Sequence, residues 1–131
     1  MSRPAKWQSM LAASREEALN AVEFYNRPGA RRSLEAFLVH MHIAWTYLFQ
    51  AQFERDGTDY HYRDPKSPRR YLRIDGERKA WELERCVTQR WPPNDPVRKN
   101  LELTIHLRNR IEHRYARGLT ERQWASRRAS C

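Results

Sequence analysis

Three polar residues near the C-terminal end of the chain have the types and spacing that acid–base chemistry on a phosphodiester requires. These residues are Arg108, Asn109 and His113. A histidine can take a proton from a 2′-hydroxyl at neutral pH, and an arginine can stabilise charge on the nonbridging phosphate oxygens. An amide one helical turn before the histidine can hydrogen-bond its ring and fix the tautomer. The residues therefore fit metal-independent cleavage of RNA as a hypothesis.

A long helix must position these side chains. Asp95 can cap its start, Pro96 suits the first helical position, and Gly118 follows its expected end, so the sequence predicts a helix from Asp95 to Tyr115. At about 100° per residue, its apolar side chains fall on one arc that should be buried. The side chains of this arc are Leu101, Leu103, Thr104, Ile105, Leu107, Ile111 and Tyr115. Arg108 points into the same arc, where a charge needs a partner.

The opposite side of the predicted helix carries a polar stripe. It consists of Glu102, His106, Asn109 and His113. Arg108 and His113 diverge by about 140° around a single helix, so the arginine meets an imidazole either by curling around the helix or by facing a second subunit. A two-fold dimer with this helix near its axis would bring two arginines and two histidines into one cleft.

The same residues also have an ordinary structural interpretation. Arg108 and Glu112 are one turn apart and can form a surface ion pair, while His113 can be a solvated side chain near a helix end. The Glu112 carboxylate can also raise the pKa of the histidine or neutralise the arginine. His106 is a weaker candidate for substrate contact. The spacing alone leaves both interpretations open.

Composition limits the class of protein and partner. The 131 residues predict a single domain, and 25 basic against 16 acidic side chains give a net charge of +9, which favours RNA or DNA over an anionic membrane. Cys86 and Cys131 show neither a disulfide framework nor metal-ligand spacing, so we expect no metal, no other cofactor and a reducing compartment. No signal peptide or membrane-spanning run is recognisable, which favours the cytoplasm.

Helical periodicity and the positions of glycine and proline predict the other elements. The expected fold is all-α, an up-down helical bundle of four to five helices with a small β-hairpin insertion at about residues 58–75, in one domain over residues 1–131. Ser14 and Glu17 are interpreted as a capping box between two N-terminal helices. His40 and His42 point in different directions on the central helix, and we expect structural roles for both. The predicted helices cover residues 4–13, 14–26, 33–54, 77–91 and 95–115.

The predicted hairpin insertion mixes aromatic and basic residues. Tyr60-His61-Tyr62 and Tyr71-Leu72-Arg73-Ile74 alternate like two short strands, and Arg69 and Arg70 lie beside the expected turn. Such a mixture can stack on bases and contact phosphates, as in single-stranded nucleic-acid platforms. Alternatively, the tyrosines pack the hairpin onto the helices, which is the interpretation we favour.

The segment around His113 resembles the hallmark of the HEPN superfamily, an arginine followed by a polar residue, three further positions and a histidine. In this chain it reads Arg108-Asn109-Arg110-Ile111-Glu112-His113. Tyr115 follows as in the toxins of HEPN and minimal nucleotidyltransferase pairs. Residues 18–28, 37–51 and 75–83 extend the resemblance over most of residues 10–116, to a bacterial HEPN-like family of unknown function found in defence and toxin contexts.

The resemblance implies a homodimeric, metal-independent endoribonuclease that acts as a toxin or antiphage effector. His113 would be the general acid or base, Arg108 would stabilise the phosphate, and Asn109 would orient the site. Tyr115 resembles the tyrosine that a partner nucleotidyltransferase adenylylates, and an antitoxin is a further possible partner. The chain ends earlier than family members that continue, which leaves open a second domain. The alternatives are a non-catalytic RNA-binding module and a protein-interaction module.

Overall fold

Four helices and two small antiparallel hairpins make up the described part of the protein. The computed structural model describes residues 3–29 and 33–129, with the backbone alone at residues 115, 116 and 118–129. The helices are α1 (Lys6–Asn26), α2 (Ser33–Asp56), α3 (Leu83–Arg90) and α4 (Pro96–Ala129), and the strands are β1 (Arg63–Asp64), β2 (Ser67–Tyr71), β3 (Arg73–Ile74) and β4 (Glu77–Arg78). A mostly helical fold with a small β insertion is therefore confirmed. Within these residues, no helix is long and apolar enough to cross a membrane.

The predicted break between two N-terminal helices is wrong, because α1 is continuous from Lys6 to Asn26. Ser14 does not cap a helix. Its side chain is buried against α2, where the hydroxyl donates a hydrogen bond of 2.7 Å to the carbonyl oxygen of Ala44. The residue that looked like a helix start is therefore a polar contact between two helices.

We expect Ser14→Ala to lower the free energy of unfolding by about 0.5–1.5 kcal/mol, because it removes a buried hydrogen bond. Urea denaturation followed by circular dichroism measures this change. Ser9→Ala on the exposed side of the same helix is the matched control and should leave stability unchanged or slightly higher. Equal effects of the two substitutions would contradict the assigned contact.

Helix α2 packs antiparallel to α1, as the sequence predicts. Contacts near the start of α2 involve the end of α1, since His40 Nδ1 lies 2.7 Å from Glu17 Oε2 and the His40 ring stacks on Phe24. Gly57, with a φ of 74°, ends α2 in a Schellman motif, in which the amide of Thr58 bonds to the Phe53 carbonyl at 2.9 Å. His40 is thus a structural residue of the α1–α2 interface.

Two hairpins replace the single predicted one. Strand β1 pairs with β2, and β3 pairs with β4 around Asp75 and Gly76, whose φ angles are both positive. An Asp-Gly pair with these angles is the preferred two-residue turn of a tight hairpin. The predicted helix over residues 77–91 is therefore shorter, because residues 77 and 78 form β4 and α3 begins only at Leu83.

The hydrophobic core lies where the second half of α2 meets α3, the first half of α4 and the segment before β1. Its buried members are Phe49, Phe53, Tyr60, Leu83, Cys86, Val87, Leu101 and Ile105. Tyr60 is 4% exposed and its hydroxyl donates a hydrogen bond to Glu54, so this tyrosine anchors the hairpins to the helices. The core fixes both the position and the rotation of α4.

Candidate active site

The start of α4 is capped as the sequence predicts. Asp95 Oδ1 accepts a hydrogen bond of 2.8 Å from the amide of Val97, and Pro96 is the first helical residue. The predicted end is wrong, because the backbone stays helical through Gly118 to Ala129. One glycine costs a helix only about 1 kcal/mol relative to alanine, which the helix-forming neighbours offset.

The buried face of α4 is rotated relative to the predicted arc. Leu101 and Ile105 are 5% and 7% exposed, whereas Leu103 and Leu107 are 56% and 39% exposed. Because Leu101 and Ile105 point at the core, Arg108 and Glu112 fall on the same face one and two turns later. The face that packs on α2 therefore changes from apolar to charged along the helix.

Arg108 is held by its own helix. Its Nη2 lies 2.9 Å from Glu112 Oε1, and its Nη1 lies 3.4 Å from Asn109 Oδ1. The Nε atom is buried and has no hydrogen-bond partner among the described residues. The ion pair that the ordinary structural interpretation predicts is thus present, and 27% of the Arg108 side chain remains exposed.

His42 on α2 faces this charged end of α4, a position that the sequence did not predict to belong to the site. The side chain is partly buried, and its Nδ1 is buried without a hydrogen-bond partner among the described residues. Burial lowers the pKa of His42 below its usual value, the nearby Arg108 lowers it further, and Glu112 acts in the opposite direction. The described structure therefore brings together an arginine, a carboxylate, an amide and a neutral imidazole.

The lowered pKa of His42 predicts a stability that falls with acidification. Unfolding restores an ordinary pKa near 6.5, so the unfolded chain binds more protons as the pH drops below that value. Urea denaturation between pH 7.5 and about pH 5 should show this loss, and His42→Gln should flatten that part of the profile. In NMR titrations, Arg108→Gln should raise the pKa of His42, and Glu112→Gln should lower it. A His42 pKa that changes with neither substitution would contradict the placement of His42 beside Arg108 and Glu112.

The histidines of the predicted polar stripe lie elsewhere on α4. His106 and His113 are exposed, and neither makes a hydrogen bond or ion pair within the described residues. Arg108 and His113 point about 140° apart around the helix, and no contact between them is found within the described residues. Tyr115 belongs to the helical backbone of α4, but its side chain lies outside the described part of the structure.

Metal-ligand geometry is not found in the described part of the chain. No three side chains of His, Cys, Asp or Glu there lie close enough to hold one ion. Cys86 is buried, and burial raises the pKa of its thiol to about 12, so it stays protonated at neutral pH. The reactive groups that the described site offers are thus the Arg108 guanidinium and the histidine side chains.

Comparison with known proteins gives one match. No curated protein and no solved structure matches the chain significantly. A family model, described as Domain of unknown function (DUF3644), matches residues 9–131. Because this match covers nearly the whole chain, the protein belongs to the family Domain of unknown function (DUF3644).

Proposed function

We propose that this protein is a metal-independent endoribonuclease of the HEPN type, with an up-down bundle as its helical framework. The 2′-hydroxyl attacks the adjacent phosphorus, His113 acts as general acid or base, and Arg108 stabilises the charge on the phosphate. The products are a 2′,3′-cyclic phosphate and a 5′-hydroxyl. The proposed setting is the cytoplasm, where the enzyme serves as a toxin or antiphage effector.

The observation that carries the proposal is the local order around Arg108. Its guanidinium is held by Glu112 and Asn109 on the face that packs on α2, yet part of the side chain reaches solvent. A cation fixed on a rigid helix stabilises transition-state charge without the cost of reorganisation. A phosphate oxygen has to displace the Glu112 carboxylate, which occupies one edge of the guanidinium. Glu112 therefore restrains the site until substrate arrives.

A homodimer completes the proposed site. His113 is exposed on the other side of the helix, so the imidazole that serves Arg108 comes from a second subunit. The exposed apolar side chains Leu103 and Leu107 support a helix-to-helix contact, because apolar surface of this kind marks interaction sites. They lie on the same helix as the motif, within about three turns of Arg108 and His113, which favours α4 as the element through which two subunits meet.

The direct test is cleavage of a mixed-sequence RNA by the purified protein in EDTA. Products with 2′,3′-cyclic phosphate and 5′-hydroxyl ends support the proposal, since the mechanism uses only side chains and the 2′-hydroxyl. A 2′-O-methyl RNA of the same sequence is the control and should stay intact. Cleavage that stops in the chelator, or that cuts the methylated strand, would contradict the mechanism.

The second candidate function is a non-catalytic RNA-binding or protein-interaction module. The 2.9 Å ion pair between Arg108 and Glu112 favours it, because a neutralised arginine binds phosphate less strongly. Under this candidate the protein retains RNA but leaves it uncut at every protein concentration. Co-purification of a protein encoded beside it, such as an antitoxin or a nucleotidyltransferase acting on Tyr115, would favour the interaction role.

A further inference from the structure

The two hairpins carry a concentrated positive charge. We name residues 61–80 the basic hairpins; they contain seven lysines and arginines but three acidic residues, and so a net charge of +4. The basic residues are Arg63, Lys66, Arg69, Arg70, Arg73, Arg78 and Lys79. Nearly half of the formal charge of +9 thus lies on this short insertion.

Most of these cations are not neutralised by the protein itself. Among the described residues, only Arg63 has a carboxylate partner, with its Nη2 2.9 Å from Asp59 Oδ2. Arg69 and Arg70 lie on β2, are exposed, and make no ion pair within that part of the chain. An uncompensated cationic strand of this kind attracts a polyanion.

One acidic residue organises part of this surface. Asp59 Oδ2 accepts a hydrogen bond of 2.9 Å from the Tyr71 hydroxyl and another from Arg63. Desolvation acts to raise the pKa of Asp59, but the hydrogen bonds from Tyr71 and His61, together with the positive charge of Arg63, hold this pKa below its usual value. The guanidinium groups of Arg63 and Arg78 each lie 4.0 Å from the centre of the Tyr71 ring. Tyr71 therefore positions arginines and is not an open platform for bases.

Ordered arginines are suited to phosphates. The planar guanidinium binds phosphate oxygens in pairs and stacks on bases, and a side chain that is already ordered loses less entropy on binding. Five of the seven cations of the basic hairpins are arginines. This composition favours a nucleic-acid backbone over a lipid headgroup surface.

We propose that the basic hairpins are a docking surface for the sugar–phosphate backbone of single-stranded RNA, separate from the cleavage residues on α4. The inference rests on the proposed function, because it takes RNA as the polyanion. The docking role is nevertheless distinct from the nuclease activity, since binding by the basic hairpins needs neither His113 nor cleavage.

The test measures binding of a fluorescein-labelled, single-stranded 2′-O-methyl RNA by fluorescence anisotropy over a range of salt concentrations. This strand lacks the reactive 2′-hydroxyl, so binding is read without cutting. The test variant is Arg69→Gln with Arg70→Gln. The matched control is Arg3→Gln with Arg15→Gln, two exposed positions at or near α1 that remove the same charge. Circular dichroism verifies the fold of both.

The hairpin variant is expected to bind at least about tenfold more weakly, and the slope of log K against log salt should shrink by about 1.4, or roughly 0.7 for each lost phosphate contact. The control should change affinity less than threefold or so. Equal losses of RNA affinity in the two variants would overturn the proposal. It would also be overturned if the wild-type protein does not bind the RNA, or if it binds phosphatidylserine vesicles in a parallel measurement but not the RNA. Cleavage of unmodified RNA by the wild-type protein is measured in a separate experiment. That result tests the proposed nuclease activity and does not affect the docking proposal.

Discussion

His113→Ala is expected to lower the rate of RNA cleavage by about 10²–10⁴-fold, because it removes the group proposed to transfer the proton in the transition state. Arg108→Ala should cost about 10²–10³-fold through lost stabilisation of the phosphate charge. Single-turnover cleavage of a defined RNA, with protein in excess, measures both effects without interference from product release.

Two controls keep this result specific. His106→Ala removes another exposed histidine from the same helix and should change the rate only a few-fold. Glu112→Gln should raise the rate or leave it unchanged, since it releases Arg108 from its 2.9 Å ion pair. If His113→Ala cuts as fast as the wild type, histidine catalysis at this motif is wrong. If His106→Ala is the slower variant, the base is His106, two positions earlier on the stripe.

Mixing the two inactive variants tests the subunit arrangement. If Arg108 of one chain serves His113 of the other, heterodimers of the two variants keep one intact pair and recover activity. If each pair lies within one chain, no heterodimer contains an intact site and the mixture stays inactive. Because the two side chains diverge by about 140° on α4, we expect recovery.

The sequence predicts those helix boundaries that depend on residues close to one another in the chain. Asp95 and Pro96 start α4, and the apolar periodicity of residues 33–54 predicts α2, because capping and amphipathic spacing involve residues within one or two turns. The predicted hairpin of residues 58–75 stops at Asp75, whereas the Asp75-Gly76 pair forms the centre of a second hairpin. The role of Ser14 does not follow from its neighbours in sequence, because its partner, Ala44, is 30 residues away.

The site was predictable only along one helix. Arg108, Asn109 and Glu112 are sequence neighbours, and their contacts follow from helical spacing. His42 could not be found in this way, since its nearness to Arg108 depends on how α2 and α4 pack. The two buried nitrogen atoms without partners are visible only once that packing is known. His42 is therefore identified as part of the candidate site only by the tertiary structure, and not by residue spacing in the sequence.

The rotation of α4 decides which side chains reach the candidate site, and two leucines on this helix test it directly. Leu101→Ala should lower the free energy of unfolding by about 2–5 kcal/mol, because it opens a cavity in the core beside Ile105. Leu103→Ala is the matched control: the same substitution two residues away, at a side chain that is 56% exposed, should cost no more than about 0.5 kcal/mol. Urea denaturation at low protein concentration, where a dimer contributes least, measures both values. Similar costs at the two positions would mean that α4 is turned so that the predicted arc is buried, and the rotation assigned to α4 would be wrong.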